Sequence, residues 1–387
     1  MKFLLTLILL VLLAAGGAAA FFWYSLTQPY QAFAAEGVFV DVPHGASSRS
    51  VARLLEVNGV IRSSIAFEFY ARRHPKRTLQ AGEYFFTQPA AGRDVFWKVA
   101  KGQVYEQPFT VREGETMFDI ARELEAAKFM LADDFLKAAN DPTMVRDIAP
   151  HAASLEGFLY PATYNLPRHP AANELAAQMV TQFKSAWSHI APAAGPAGVS
   201  DKSVAADGRP LVSVVTLASL VERETPKPEE RPLVASVFEN RLKLQMPMQC
   251  DPTVVYALER VGQYNGKLTL QDLRFDSPYN TYMNRGLPPG PIGNPGEASL
   301  RAAWRPADTQ YLYFVANTQG GHFFSATLAE HNRNVTKYHR LLAGLPADPP
   351  EPEPVAPKPA SRKKQPPKHA TKHPVKHPKR ASRGATR

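Results

Sequence analysis

The feature that most constrains this chain is an uncharged apolar run at its N-terminus. Phe3 to Tyr24 contains no charged residue, and the run ends in several aromatic residues. A helix rises about 1.5 Å per residue, so the run is long enough to cross about 30 Å of hydrocarbon. Lys2 precedes the run, and the first charges after it are Glu36 and Asp41. This asymmetry predicts a cytoplasmic N-terminus and an exported body.

Two interpretations of this run remain open. It is either a retained membrane anchor over residues 1–24, followed by a linker over 25–36, or a cleavable signal peptide with Ala18-Ala19-Ala20 as the cleavage site. The length of the run favours the anchor, because the apolar part of a signal peptide is shorter. Both interpretations predict that the body of the protein works outside the cytoplasm.

The net charge of +10 is concentrated at the C-terminus. Residues 351–387 contain eleven basic and two acidic residues, so the rest of the chain is close to neutral. The segment 346–387 is rich in Pro, Lys and His, which predicts a disordered tail. No specific nucleic-acid binding is expected. In an exported segment, anionic wall polymers or lipid head groups are the favoured partners, and a purely solubilising tail is the alternative.

The chain has a single cysteine, Cys250. An intramolecular disulfide is therefore impossible, and the fold must be held by packing. No CxxC or histidine-rich spacing accompanies this cysteine in the body of the chain, so we expect no metal and no cofactor. We interpret Cys250 as a small, partly buried residue rather than a nucleophile.

An internal repeat follows the linker. The segment 42–56 aligns with 111–125 at a constant offset, which places Gly45 opposite Gly114. Each copy has the pattern of a strand, a glycine turn, a Ser or Thr cap and a helix with one apolar face. The repeat therefore predicts two small α+β subdomains.

These subdomains, at 37–105 and 106–150, resemble the LysM module. That module is a small βααβ unit that binds N-acetylglucosamine polymers, and the second copy, with Gly114-Glu115-Thr116, is the closer match. An α+β domain that only spaces or braces the rest of the molecule is an equally good interpretation.

A helix with two glutamates at its C-terminal end carries the strongest chemical signal. Residues 212–225 are apolar on most faces and Pro226 ends them, which predicts a buried core helix. Glu224 falls on the bulkiest apolar stripe, whereas Glu222 lies over smaller residues. A carboxyl in such surroundings at a helix C-terminus should have a raised pKa, which suits a general acid. The alternative is that both glutamates lie at a solvated helix end and form ordinary ion pairs. The spacing of the two glutamates, taken alone, favours this alternative.

Loops rich in hydroxyls, aromatic rings and amides follow this helix. Asp251 is predicted to be the N-cap of a helix that begins at Pro252. The stiff Pro-Gly segment 286–296 cannot be regular structure, and Tyr311–Val315 is typical of a buried strand. Such loops suit sugar recognition, because rings stack on aromatic side chains and hydroxyls pair with amides; half-buried packing is the alternative for the tyrosines. The candidates for binding the sugar or supporting Glu224 are Glu222, Asp251, Thr253, Tyr256, Tyr279, Asn280, Tyr282 and His322, with Glu222 the first choice as a second acid.

The sequence resembles the MltG (YceG-like) family of endolytic murein transglycosylases from the anchor to about residue 345. The motifs that carry the resemblance, in family order, are Leu155–Pro161, Ala218–Thr225, Ala235–Leu242, Asp251–Tyr256, Tyr279–Tyr282, Gly286–Gly290 and Tyr311–Val315. The resemblance implies an α+β fold with an N-terminal transmembrane helix in the inner membrane, LysM-like subdomains and a mixed α+β catalytic domain over 151–345 in the periplasm.

The resemblance also implies the chemistry. Members cleave the MurNAc–GlcNAc bond inside peptidoglycan strands without water, leave 1,6-anhydroMurNAc ends and are expected to terminate the growth of nascent strands. The family's catalytic glutamate falls on Glu224, and Cys250 stands where a hydroxyl residue is usual. Glycan strands are the implied substrate, with peptidoglycan synthases or division proteins as further partners.

Two other functions compete with this one. A non-catalytic peptidoglycan-binding scaffold would rely on the LysM-like pair alone. A hydrolytic muramidase would use Glu224 with a second carboxylate such as Asp251, and it would leave reducing ends.

Overall fold

The computed structural model describes residues 2–191 and 208–347. The loop predicted at 191–210 and the tail predicted from 346 therefore lie almost wholly outside the described residues. The α-helices are α1 (Lys2–Thr27), α2 (Ser48–Val57), α3 (Ser64–Arg72), α4 (Gly92–Ala100), α5 (Met117–Ala126), α6 (Ala132–Ala139), α7 (Ala172–Ile190), α8 (Leu211–Glu224), α9 (Arg231–Lys243), α10 (Asp251–Glu259), α11 (Glu297–Trp304) and α12 (Leu328–Leu342). The strands are β1 (Val38–Val42), β2 (Gly82–Phe86), β3 (Gln107–Thr110), β4 (Thr163–Leu166), β5 (Tyr313–Ala316) and β6 (His322–Ser325).

Helix α1 is apolar along its whole length. Phe3–Thr27 is the one helix in the described chain that is long and apolar enough to cross a membrane, and none of its most apolar window is buried. Its last turns pack on the next domain, since Ser25 is buried and its carbonyl would lie 3.0 Å from a Cβ placed at Gly92. Tyr30 then pairs with Ala90 in a short antiparallel bridge. The residues after α1 therefore lie against the protein.

Both copies of the repeat fold as strand, helix, helix, strand. In the first unit β1 pairs antiparallel with β2, and in the second β3 pairs antiparallel with β4. The hydroxyl of Ser47 caps α2, and Thr116 caps α5 in a full capping box. The second unit closes only at β4, beyond the boundary predicted at residue 150.

Two hydrophobic cores divide the described chain. The first is built from residues between Val40 and Val99, with Phe67 and Phe96 fully buried at its centre. The second runs from Phe109 to Ala303. The second βααβ unit thus shares one core with the C-terminal helices, whereas the first unit has its own.

Helix α8 lies at the centre of the second core, and α9, α10 and α11 pack against it. The predicted helix ends at Glu224, and Thr225 is its C-cap. Two predictions need correction. Helix α10 begins at Asp251 with Cys250 as its N-cap, because the Asp251 carboxylate has another partner. Strand β5 is only partly buried, since a two-stranded hairpin has few neighbours to cover it.

Candidate active site

Glu224 occupies the last turn of α8, facing a cluster of polar groups from four other segments. Burial raises the pKa of its carboxyl, and the nearby charge of Asp251 raises it further. The thiol of Cys250 donates a hydrogen bond to the carboxyl, which lowers the pKa. His322 and Arg241 also lower it. The net result is a raised pKa, as the helical position of this residue predicted.

Asp251 lies beside this carboxyl and is tied to Tyr282. The Tyr282 hydroxyl donates a hydrogen bond to Asp251 Oδ1 at 2.5 Å. Burial, and then this hydrogen bond and the charge of Asp251, raise the pKa of the phenol. Tyr282 therefore stays protonated at neutral pH, and its partly exposed ring borders the site.

His322 is held by Glu230 through both carboxylate oxygens. Its backbone N–H donates to Oε1 at 2.9 Å, and Nδ1 lies 2.7 Å from Oε2. The Thr225 hydroxyl donates to the same Oε2 at 3.3 Å. Burial acts to raise the pKa of Glu230, but the hydrogen bonds outweigh burial and the net pKa is lowered. An ionised Glu230 accepts a hydrogen bond from Nδ1–H, so Nε2 is the ring nitrogen left to contact a ligand.

Arg241, on α9, is a site residue that the sequence alone did not indicate. Its Nε donates to the Leu312 carbonyl at 2.7 Å and its Nη1 to the Met248 carbonyl at 2.7 Å. Burial lowers its pKa, and its charge acts on Glu224. Its place in the Ala235–Leu242 motif was the one signal that could have identified it.

Glu222 belongs to a different environment from Glu224. It forms a buried ion pair with Arg231 at 2.7 Å and accepts a hydrogen bond from the Gly296 N–H at 2.9 Å. Burial raises its pKa as well. Glu222 therefore ties α8 to α9 and to the Pro-Gly loop, while the charges that act on Glu224 come from Asp251, His322 and Arg241.

The remaining candidates from the sequence shape the loops around the site. The Thr253 hydroxyl donates to the Cys250 carbonyl at 2.6 Å. The Asn280 amide nitrogen donates to two carbonyls of the preceding loop, and its oxygen accepts the Tyr282 N–H at 2.9 Å. The rings of Tyr256 and Tyr279 are buried, with centroids 5.1 Å apart, so neither offers a free face to a sugar.

Asn294 was also missed, and it joins three segments in the interior. Its side-chain oxygen accepts the Gly157 and Leu159 N–H groups at 2.8 and 3.0 Å. Its amide nitrogen donates to the Glu115 carbonyl and to Glu156 Oε1, both at 2.9 Å. Within Gly286–Gly296 the sequence marked only a stiff loop, so nothing distinguished this asparagine.

Glu156 lies at the N-terminus of α5, deep in the second core. Both carboxylate oxygens lie 3.1 Å from the Met117 N–H. Burial raises its pKa to about 8, although the hydrogen bond from Met117 opposes the rise. Among residues 2–191 and 208–347, no group of three or more His, Cys, Asp and Glu side chains is arranged to hold a metal.

Residues 40–337 match the family described as YceG-like. The chain is 33% identical to the endolytic murein transglycosylase of Bacillus subtilis strain 168 over 329 residues, which are 81% of this chain and 88% of that protein. It is 29% identical to the endolytic murein transglycosylase of Streptococcus pneumoniae D39 over 340 residues, which are 80% of this chain but 60% of that protein. The crystal structure of a YceG-like protein from Listeria monocytogenes superposes with a TM-score of 0.50 at 32% identity, covering 78% of this chain and 99% of that one.

Proposed function

Because this chain belongs to the YceG-like family, we propose that it is an endolytic murein transglycosylase, a lyase of peptidoglycan glycan strands, with Glu224 as its general acid and base. The observation that carries the assignment of Glu224 is the set of groups around its carboxyl. It has a raised pKa and lies among Cys250, Asp251, His322 and Arg241. Its neighbour Glu222 is instead committed to the Arg231 ion pair.

In the first step the protonated Glu224 donates to the glycosidic oxygen while the bond to C1 of MurNAc breaks. The positive charge that develops at C1 needs stabilisation, which many glycosidases obtain from a second carboxylate. Here the substrate's own N-acetyl group supplies it. Glu224, now a carboxylate, takes the proton of the C6 hydroxyl as that oxygen attacks C1. The product is a 1,6-anhydro ring, and no water is consumed.

Four side chains support these steps. Tyr282 and Asp251 form one hydrogen-bonded wall of the site. Arg241, anchored by backbone carbonyls, stabilises the carboxylate form of Glu224 after the first proton transfer. Nε2 of His322, with Nδ1 held by Glu230, is placed to form a hydrogen bond with a sugar hydroxyl.

The rest of the molecule brings this site to its substrate. Helix α1 anchors the chain in the inner membrane with the N-terminus in the cytoplasm and the catalytic body in the periplasm. The two βααβ units are LysM-like and either bind the glycan strand or brace the catalytic part. Synthases or division proteins are the partners that would supply nascent strands, and the basic tail would contact anionic polymers.

The test compares the full chain with its Glu224→Gln variant on uncrosslinked glycan strands, with the products read by mass spectrometry. We expect anhydro-ended fragments from the wild type and a loss of about a thousandfold or more in the variant, since a general acid and base contributes on that order. Glu222→Gln, on the same helix, is the matched control and should keep the same product.

Each alternative has its own outcome. Products about 18 Da heavier, the mass of one water, would mean hydrolysis and make Asp251→Asn the next variant. Equal cleavage by the wild type and by Glu224→Gln would mean that Glu224 is not the general acid and base. Binding of strands without cleavage by either protein would favour the scaffold.

A further inference from the structure

One face of α3 exposes large apolar side chains next to the apolar helix α1. Ile65 is 69% exposed and Phe69 is 46% exposed. The two residues are four positions apart on the helix, so they lie on the same face. Their opposite side is the first core, where Ala66 and Phe67 are buried. Helix α3 is thus amphipathic, with an outward apolar face on which both side chains stay largely exposed.

This face is continuous with the end of α1. The ring of Phe22 packs edge-on against the ring of Phe69, with centroids 5.6 Å apart. About twenty helical residues cross the hydrocarbon, so a span that begins at Phe3 reaches the far boundary near Phe22. Phe69 therefore lies at the height where the hydrocarbon ends, and Trp23 and Tyr24 lie at the height of the head groups.

The connection between α1 and the first unit is rigid enough to keep that height. The guanidinium of Arg62 lies between two rings, 4.7 Å from that of Tyr24 and 4.6 Å from that of Tyr30. The Ala32 N–H donates to the Gly59 carbonyl at 2.9 Å. Aromatic, cation–π and backbone contacts thus hold α1 on the unit before β1 begins.

Basic side chains follow the apolar residues along the same segment. Arg72, Arg73, Lys76 and Arg77 are all exposed. Arg72 forms an ion pair at 2.6 Å with Glu68, one turn earlier on α3, so the net positive charge of this segment comes from Arg73, Lys76 and Arg77. The guanidinium of Arg73 lies 4.8 Å from the centre of the Phe69 ring, so its charge is placed directly beside the apolar face. Apolar residues flanked by arginine and lysine are typical of helices that lie in the membrane interface.

We propose that this face of α3 rests on the membrane surface, with Ile65 and Phe69 inserted at the boundary of the hydrocarbon and the basic residues bound to the phosphate groups of anionic phospholipids. The proposal depends on α1 being the retained anchor of the proposed function. It assigns the first βααβ unit a lipid surface as its partner, in addition to any contact with glycan.

The test uses the full chain in vesicles, with single cysteines carrying an environment-sensitive fluorophore. Native Cys250 is buried and stays unlabelled under folding conditions. We expect Ile65→Cys to be quenched by lipids brominated near the head group in vesicles that contain phosphatidylglycerol. Leu270→Cys, 85% exposed and in the part of the chain that forms the second core, is the matched control and should not be quenched. Equal signals at positions 65 and 270 would overturn the proposal.

A third label separates this failure from failure of the anchor. Ala14→Cys, in the middle of α1, should be quenched by lipids brominated deep in the acyl chains. Quenching at 14 without quenching at 65 overturns the surface contact and leaves the anchor standing. No quenching at either position overturns the anchor, and the surface contact with it.

The role of charge is tested by neutralising Arg73 and Lys76 to glutamine. Each basic residue near an anionic surface favours contact by about fivefold. The ratio of docked to undocked α3 should therefore fall about fivefold per substitution. In phosphatidylcholine vesicles the wild type loses the attraction on all its basic residues, so its ratio should fall at least as far as that of the double variant. Lys128→Gln with Lys137→Gln, exposed on the second unit, should change nothing. Identical quenching in both kinds of vesicle would overturn the binding of anionic head groups.

Discussion

At the scale of single residues, the donor that faces Glu224 is a thiol, which is a weak hydrogen-bond donor. Burial keeps the pKa of Cys250 well above its ordinary value, so the thiol remains protonated and available to donate. The hydrogen bond from Cys250 is the largest of the effects that lower the pKa of Glu224, but burial outweighs it and the pKa stays raised. The strength of the donor at position 250 therefore tunes the pKa of the acid.

We expect Cys250→Ser to lower the pKa of Glu224, because a hydroxyl donates a stronger hydrogen bond and so favours the charged carboxylate. Cys250→Ala removes the donor and should raise that pKa. The alkaline limb of the pH–activity profile reports the acid, so it should move to lower pH in the serine variant and to higher pH in the alanine variant. A shift of the alkaline limb in the same direction in both variants would contradict this account.

Glu156 should make stability depend on pH. Its folded pKa of about 8 lies above the ordinary value of 4.5, so its protonated form is favoured by folding. The stability it contributes is complete at low pH and is lost as the pH rises towards 8. Relative to Glu156→Gln, the unfolding free energy of the wild type should fall by at most about 1.4 kcal/mol per pH unit across this range. Urea unfolding at several pH values checks this, and parallel curves would refute it.

At the scale of helices and loops, the Pro-Gly loop is held between α8 and the second βααβ unit. Ser219, on α8, accepts the Ile292 N–H at 3.0 Å, and Asn294 connects the same loop to the residues before α5. A Cβ at Gly157 would lie 2.5 Å from Pro291, so this approach requires glycine. The position of α8, and of Glu224 at its end, therefore depends on residues far away in the sequence.

Asn294→Ala should be strongly destabilising. It leaves the buried N–H groups of Gly157 and Leu159 without an acceptor, and each unsatisfied group costs about 1–3 kcal/mol. The control is Asn284→Ala, whose side chain also donates two hydrogen bonds but is exposed, so water can replace it. Chemical denaturation of both variants measures the difference, and a similar small loss in both would contradict the role of Asn294.

The sequence predicted the elements that have a strong periodic pattern. The bounds of α8 and its buried character were predicted from its apolar faces and from Pro226. Glu224 was chosen as the general acid because it lies on the bulkiest apolar stripe of this helix. Of the groups that act on Glu224, Asp251 and His322 were among the candidates, whereas Arg241 was not. Arg241, Glu230 and Asn294 could not be predicted in the same way, because they act through long-range contacts that have no local signature. Glu222 looked like a second acid because sequence spacing does not reveal that Arg231 is its partner.

At the scale of the whole molecule, the two cores are joined by few contacts. Arg168, after β4, forms an ion pair with Glu83 at 2.7 Å and lies 4.1 Å above the ring of Phe39. The repeat in the sequence predicted two similar units, and both have the same order of elements. The repeat could not predict that only the second unit shares a core with the C-terminal helices, because that depends on how β4 and the helices after it pack.

We expect the two cores to unfold separately. Phe96→Ala removes a fully buried ring from the first core and Phe183→Ala removes one from the second, each costing about 3–5 kcal/mol. Hydrogen exchange of the full chain in detergent micelles should show loss of protection confined to residues 38–104 in the first variant. In the second variant the loss should be confined to residues 107–304. Loss of protection throughout the chain in either variant would mean a single cooperative unit.

With α1 as the proposed membrane anchor, its direct packing on the first unit has a kinetic consequence. An enzyme on a long flexible linker samples a hemisphere around its attachment point. An enzyme fixed rigidly to its anchor samples only a layer parallel to the membrane. Its encounters with glycan are then set by lateral diffusion in two dimensions and by the height of the layer. Strands that have just left the membrane enter that layer first, and older strands farther out are beyond its reach.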